Sequence, residues 1–147
     1  MSSIHIRRAF LPALVVAFGL ALGVPEGAQA QISVIVGPSS ANAPTQEEVV
    51  KMFRGSSTTW SDGTKIQIVD QPGTPVGEQF YSQVVGQSAS AVRKVFIELV
   101  LSGQAAKPKT ASSDAEVKAA VASTPGAIGY IQSSSMDATV KEVLKVN

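Results

Sequence analysis

Hydrophobic and polar positions along this chain change period several times, and each change marks an element. Ile32-Ser33-Val34-Ile35-Val36 is a short, nearly continuous β-branched run that stops at Gly37-Pro38, the pattern of a strand covered on both faces. A polar loop, Ser39 to Pro44, leads to Thr45, with Glu48 three residues later. That spacing predicts a helix N-cap with a capping box. The helix is expected to run to about Arg54, with Val49, Met52 and Phe53 on one face, and to end at Gly55. After a second polar loop, Ser56 to Thr64, the stretch Lys65-Ile66-Gln67-Ile68-Val69 alternates as a strand does. Gln71-Pro72-Gly73 breaks it, and Thr74-Pro75 reads as an N-cap followed by proline at the first helical position. Val76, Phe80 and Val84 follow at four-residue steps, and Gly86 ends that helix.

The second half repeats the alternation of helix and strand. Ser88 or Ser90 opens a helix in which Val92, Val95, Phe96, Leu99 and Val100 form a core-facing stripe, closed by Gly103. Gln104 to Ala111 reads as a loop. Ser113 caps a further helix, with Val117 and Val121 turned inward and Pro125-Gly126 at its end. Ala127 to Ile131 predicts a strand, and Thr139 to Val146 a last strand at an edge. Strands alternating with helices predict an α/β three-layer sandwich, with a mostly parallel sheet and helices on both faces.

The N-terminus stands apart from this pattern. His5, Arg7 and Arg8 precede an apolar run from Phe10 to Val24, and Ala28-Gln29-Ala30 fits a small-x-small cleavage site. Residues 1–30 are therefore expected to be a signal peptide, since the run falls short of the roughly 20 apolar residues a membrane span needs. Residues 31–147 are then a single exported domain, periplasmic in location and not membrane-embedded after cleavage.

Composition narrows the chemistry. The chain has 12 Lys and Arg against 11 Asp and Glu, and the remainder balances once Arg7, Arg8 and Glu26 are set aside. A nucleic-acid surface, which needs a basic stripe, is not expected. Cysteine is absent, and the one histidine, His5, lies in the export segment. Disulfides, thiol catalysis, an imidazole base and the usual zinc sites are thereby excluded from residues 31–147. No enzyme activity and no cofactor are expected. Glu47-Glu48 complements the dipole of its own helix rather than forming an acid/base pair.

Two strand-to-helix loops are the candidate binding elements, because ligands of open α/β sheets sit beyond the carboxyl ends of strands. They are Gly37 to Asn42, carrying Ser39 and Ser40, and Gln71 to Thr74, carrying Gly73 and Thr74. Helix-start amides hold oxyanions without a formal charge. Ser39, Ser40, Gly73 and Thr74 are thus the expected anion-binding residues, facing one common edge. The competing reading is that Thr74 only caps its helix. Lys107 and Lys109, flanking Pro108, are a further candidate anion clamp on a surface loop.

An ordered set of segments also carries a family resemblance. It comprises V-V-K-M-F-R-G-S-S-T-T-W-S-D-G (Val49 to Gly63), the strand Ile66 to Val69, Gly73-Thr74, Phe80-Tyr81, Ser102-Gly103, Pro108, Ser113 to Val117, and T-P-G-A-I-G-Y (Thr124 to Tyr130). Together these resemble the substrate-binding proteins of phosphate ABC transporters, especially short single-domain relatives. The resemblance implies one lobe of a type II periplasmic binding protein. It implies phosphate, or a similar small oxyanion, as ligand and an ABC transporter permease as partner. In that family an arginine precedes a Ser-Gly-Thr element at a helix start. Here the triplet is Pro72-Gly73-Thr74, preceded by Ile68, Val69 and Asp70, so only Gly73 and Thr74 carry over. A lost charge-assisted hydrogen bond is worth about 1.5–3 kcal/mol, so weak anion binding is expected. Binding across a homo-oligomer, or an envelope interaction module that has lost its ligand, remain the alternatives. The second of these predicts an exposed apolar patch.

Overall fold

The computed structural model describes residues 30–147; the expected export segment lies outside them apart from Ala30. The elements in order are β1 (Ile32–Val36), α1 (Gln46–Phe53), β2 (Gln67–Asp70), α2 (Pro75–Phe80), a π-helical turn (Tyr81–Val85), α3 (Ala89–Leu101), β3 (Lys109–Thr110), α4 (Asp114–Ser123), β4 (Ala127–Gln132), a 3-10 turn (Ser133–Ser135) and β5 (Lys141–Val146). The helix caps follow the local chemistry. Thr45 and Glu48 close a reciprocal capping box, Ser88 rather than Ser90 caps α3, and Ser113 caps α4. Hydroxyls and carboxylates at these positions satisfy amides that have no partner inside the helix.

The five strands form one sheet in the order β3-β2-β4-β1-β5. β2 is parallel to β3 and β4, whereas β1 is antiparallel to both β4 and β5. Four strands therefore share one direction and β1 opposes them, which keeps the sheet mostly parallel. β1 is buried along its whole length, as a strand with neighbours on both sides and helices above and below must be.

Side chains alternate between two cores. Val34, Val36, Ile68, Ile128 and Tyr130 face α1, α2 and α3, while Ile35, Val69 and Ile131 face α4 through Val117 and Val121. A Cβ on Gly129 would lie 2.8 Å from Val117 Cγ1, so α4 sits close on β4 because that position is glycine. Trp60 is buried and donates its indole N–H to Gly126 O at 3.0 Å. The same carbonyl accepts from Gln67 N at 3.0 Å. The Trp60 loop is thereby pinned to the turn before β4.

Three elements differ from the sequence expectation. The stretch Gln104 to Ala111, expected as a loop, contains the short strand β3. The helix after Thr74 does not run unbroken to Gly86: α2 is short and continues as a π turn ending at Gly86 in the left-handed conformation. The wider turn broadens its apolar arc, so that Phe80, Tyr81, Val84 and Val85 are all buried. In α3, only Val92 and Phe96 of the expected stripe are buried; Val95 is 40% exposed. Nothing among the described residues covers the outer side of α3, where Ile97 and Leu101 are 54% and 83% exposed. Among the described residues no helix is long and apolar enough to cross a membrane.

Candidate functional site

The reversed direction of β1 separates the two loops expected to face one edge. Val36, at the end of β1, pairs with Ile128, and Ile32 pairs with Gln132. Alongside, Gln67 and Ile68 of β2 pair with Ala127 and Ile128. β1 thus leaves the sheet where β4 enters it, and β2 leaves in the opposite direction, its last residue Asp70 lying about 7 Å further along β4 at the usual rise of a strand. Ser39 and Ser40 do not share an edge with Gly73 and Thr74. The expectation overlooked that a strand can be threaded backwards between β4 and β5, a choice that strand composition does not encode.

At the β1 end, Ser39, Ser40, Asn42, Asp62, Thr64 and Thr124 line a cavity of about 400 Å³. The Ser40 hydroxyl accepts from Asn42 N at 3.2 Å, and Ser40 O accepts from Lys141 Nζ at 3.2 Å. At the β2 end, Gly73 is exposed, with a φ of 77° that glycine supplies. The Thr74 hydroxyl donates to Gln71 O at 2.9 Å and accepts from Gly77 N at 3.1 Å. Thr74 O accepts from Glu78 N, and Pro75 has no amide to offer. The start of α2 is therefore largely closed on itself by its own cap.

The polar groups at this end form a connected set that the sequence reading missed. Tyr130 donates its hydroxyl to Asp70 Oδ1 at 2.5 Å, and the same oxygen accepts from Gln71 N at 2.9 Å. The Gln71 side chain, 1% exposed, donates to Tyr130 O at 2.9 Å and to Asp114 Oδ1 at 2.8 Å. Asp114, the first residue of α4, accepts on its other oxygen from Ser135 Oγ at 2.7 Å and Gln132 N at 3.1 Å. These bonds tie the carboxyl ends of β2 and β4 to the start of α4. Burial first, and then the Asp70 carboxylate, push the hydroxyls of Tyr81 and Tyr130 well above the ordinary tyrosine range. Asp70 gave a sequence signal only as a residue standing where the arginine is missing, and Gln71 only as the first residue of the candidate loop Gln71 to Thr74.

Beside this set, α3 and the connection to β3 leave an open groove of about 450 Å³. Its wall is apolar, with Val92, Phe96, Ile97, Val100 and Leu101; Asp70, Tyr81, Arg93 and Thr110 stand among its polar lining residues, and Lys107 also lines it. Of the two lysines flanking Pro108, Lys109 turns elsewhere and donates to Thr124 Oγ1 at 2.9 Å. Among the described residues no cluster of three or more histidine, cysteine or acidic side chains is placed to hold a metal ion.

The fold is similar to that of a Clostridium perfringens protein described as a phosphate ABC transporter substrate-binding protein, solved with bound phosphate: TM-score 0.63 at 20% identity, covering 78% of this chain and 45% of that one. It is similar to an ABC-type phosphate transport receptor from Vibrio cholerae, with TM-score 0.58 at 19% identity, covering 78% and 47%. It is also similar to PstS from Borrelia burgdorferi, with TM-score 0.59 at 16% identity, covering 78% and 47%. The chain thus has the α/β fold found in phosphate-transporter substrate-binding proteins and spans a little under half the length of each of these. No protein-family model matches the chain, and no curated protein matches it in sequence.

Proposed function

We propose that residues 31–147 form a non-catalytic, exported solute-binding-type domain of the phosphate-uptake kind, which holds phosphate or a similar small oxyanion weakly at the Gly73-Thr74 turn and works beside an ABC transporter in the periplasm. The observation that carries this reading is the fold, shared with phosphate-transport proteins, together with the place of that turn at the carboxyl end of β2, where open α/β sheets take ligands. Gly73 keeps the backbone open to close approach. Weakness follows from the closed Thr74 cap and from Asp70, whose negative charge stands where a cation would help. Ser39 and Ser40, at the far end of the sheet, are a separate and lesser anion candidate. Titration with phosphate and with sulfate, followed by amide NMR, is expected to move Gly73 and Thr74 at millimolar concentration. No movement at those amides would remove the oxyanion reading.

A second reading, an envelope interaction module without a ligand, is favoured by a specific observation: Ile97 and Leu101 lie exposed on an outer helix face. It is expected to yield a discrete complex that Leu101→Asp abolishes while the fold is retained. A chain that stays monomeric and partnerless in envelope extracts, yet binds phosphate, would exclude it.

A further inference from the structure

The groove between α3 and the β2–β3 edge has the make-up of a small-molecule site: a few hundred cubic ångströms, a mainly apolar wall and a few polar groups. The polar groups include charges of both signs. Arg93 forms no ion pair among the described residues, and neither does Asp70; the only pairs there are Lys51–Glu47 and Lys118–Asp137. Asp70 is half-buried; Tyr130 and Gln71 both donate to its Oδ1, and the Tyr81 hydroxyl also hydrogen-bonds its carboxylate. Tyr81 reports both charges: its hydroxyl is pushed up by burial and by Asp70, and drawn down by Arg93. The two opposite charges are therefore neighbours of one hydroxyl without neutralising each other. Thr110, paired with Asp70 across β2 and β3, adds a hydroxyl at the same end.

From this juxtaposition we infer that the groove binds a small zwitterion with an apolar body, an apolar α-amino acid, whose carboxylate meets Arg93, whose ammonium meets Asp70 and whose side chain lies along Phe96, Ile97 and Leu101. The argument is one of charge complementarity. A simple carboxylate satisfies Arg93 but is repelled by Asp70, and a simple amine has the converse problem. A zwitterion carries its two charges on adjacent positions and its side chain away from both. Inorganic phosphate has no apolar body to bury and meets the same repulsion from Asp70. This site is distinct from the Gly73-Thr74 turn, and it stands or falls independently of oxyanion binding there.

The test is amide NMR on the domain with L-leucine as probe. Leucine at up to about 10 mM, the affinity range of a shallow, half-open site, is expected to shift Asp70, Tyr81, Arg93 and Thr110 together. 4-Methylpentanoate and 3-methylbutylamine, which each keep one charge, and glycine, which lacks the side chain, are each expected to bind about tenfold more weakly, as the loss of one charge-assisted bond or one buried side chain implies. Arg93→Met, at an exposed position that leaves the core intact, is expected to weaken leucine about tenfold or more. Leu101→Gln is expected to weaken it less and to leave 4-methylpentanoate and leucine in the same order. The proposal is overturned if leucine produces no shifts in the groove, if either one-charge analogue binds as well as leucine, or if Arg93→Met binds leucine unchanged.

Discussion

Tyr130 stacks on Phe80 with ring centroids 4.0 Å apart and planes 8° from parallel, while its hydroxyl bonds Asp70 and Gln71. One side chain thus joins the aromatic core to the polar end of the sheet. Removing the hydroxyl in Tyr130→Phe takes away one donor to Asp70 and one acceptor for Gln71, and is expected to cost about 1–3 kcal/mol in denaturant unfolding. Phe80→Ala removes the stacked ring and is expected to cost about 3–5 kcal/mol. Alkaline titration checks the same site. The chain holds two tyrosines, Tyr81 and Tyr130, and both hydroxyls have folded pKa values raised above the ordinary value of 10. Their contribution to stability is present below pH 10 and is lost as pH rises beyond it, because only unfolding frees them to ionise. Tyrosinate absorbance is therefore expected to appear together with loss of the folded circular dichroism signal. Ionisation near pH 10 in a protein that remains folded would contradict the burial described here. At this scale the sequence was informative about caps: Thr45 and Thr74 do what their neighbours imply. It was uninformative about Asp70, Gln71 and Asp114, because their chemistry depends on partners more than 40 residues away, such as Gln71 with Asp114.

Elements were legible wherever a periodic pattern met a stop signal, as in β1, α1 and α4. The exceptions were elements decided by their neighbours. β3 is two exposed residues, Lys109 and Thr110, and exists because β2 offers it a ladder. The core stripe of α3 was overestimated because periodicity reports which positions are apolar, not whether another layer covers them. Close approach between elements sets the next expectation. A Cβ on Gly77 would lie 2.3 Å from the Gln71 carbonyl oxygen and 3.2 Å from the Tyr130 hydroxyl. The carbonyl is backbone and cannot swing aside, so Gly77→Ala forces α2 away from the β2 turn. Its expected cost is about 1–3 kcal/mol, with amide shifts spreading from Gln71 to Phe80; a variant as stable as the parent would show that the turn yields freely. A second element-level contact joins α4 to the chain before β5, where Lys118 Nζ lies 2.6 Å from Asp137 Oδ2 and 2.9 Å from Ser135 O. Hydrogen bonds from Lys118 and then Thr139 lower the Asp137 carboxyl from 3.8 to about 2. A lowered acid stabilises the fold above its unfolded value and loses that contribution as pH falls from 3.8 towards 2. Asp137→Asn should therefore melt below the parent at neutral pH, and the two melting curves should converge near pH 2. The solvent-exposed carboxylate keeps that difference small.

At the scale of the whole molecule, the class of fold was readable from the alternation of helices and strands, but the direction of one strand was not, and that strand determines where ligands can be met. β1 lies between β4 and β5 and opposes both. The first strand of the domain is thus locked on one side by the last, more than 100 residues further along, through pairs such as Ile32 with Val146 and Val34 with Leu144. Buried Ser33 strengthens the junction by donating to the Glu142 carboxylate and bonding Ser133 Oγ at 2.7 Å. Such pairing closes a long loop, so its entropy cost must be met before the contacts form. β5 is expected to be indispensable for that reason. Without residues 139–147, β1 would present a row of unpaired amides and carbonyls along a strand that is apolar but for Ser33, an edge prone to pair with other chains. The shortened chain is expected to aggregate or to lose the native amide spectrum. Adding a peptide of sequence 139–147 in trans is expected to restore part of that spectrum, because the ladder it supplies is the one missing. A truncated chain that keeps its native spectrum and stays monomeric would show instead that β4 and the two helix layers suffice to hold β1, and that the reversed strand owes its place to core packing rather than to the strand that closes it.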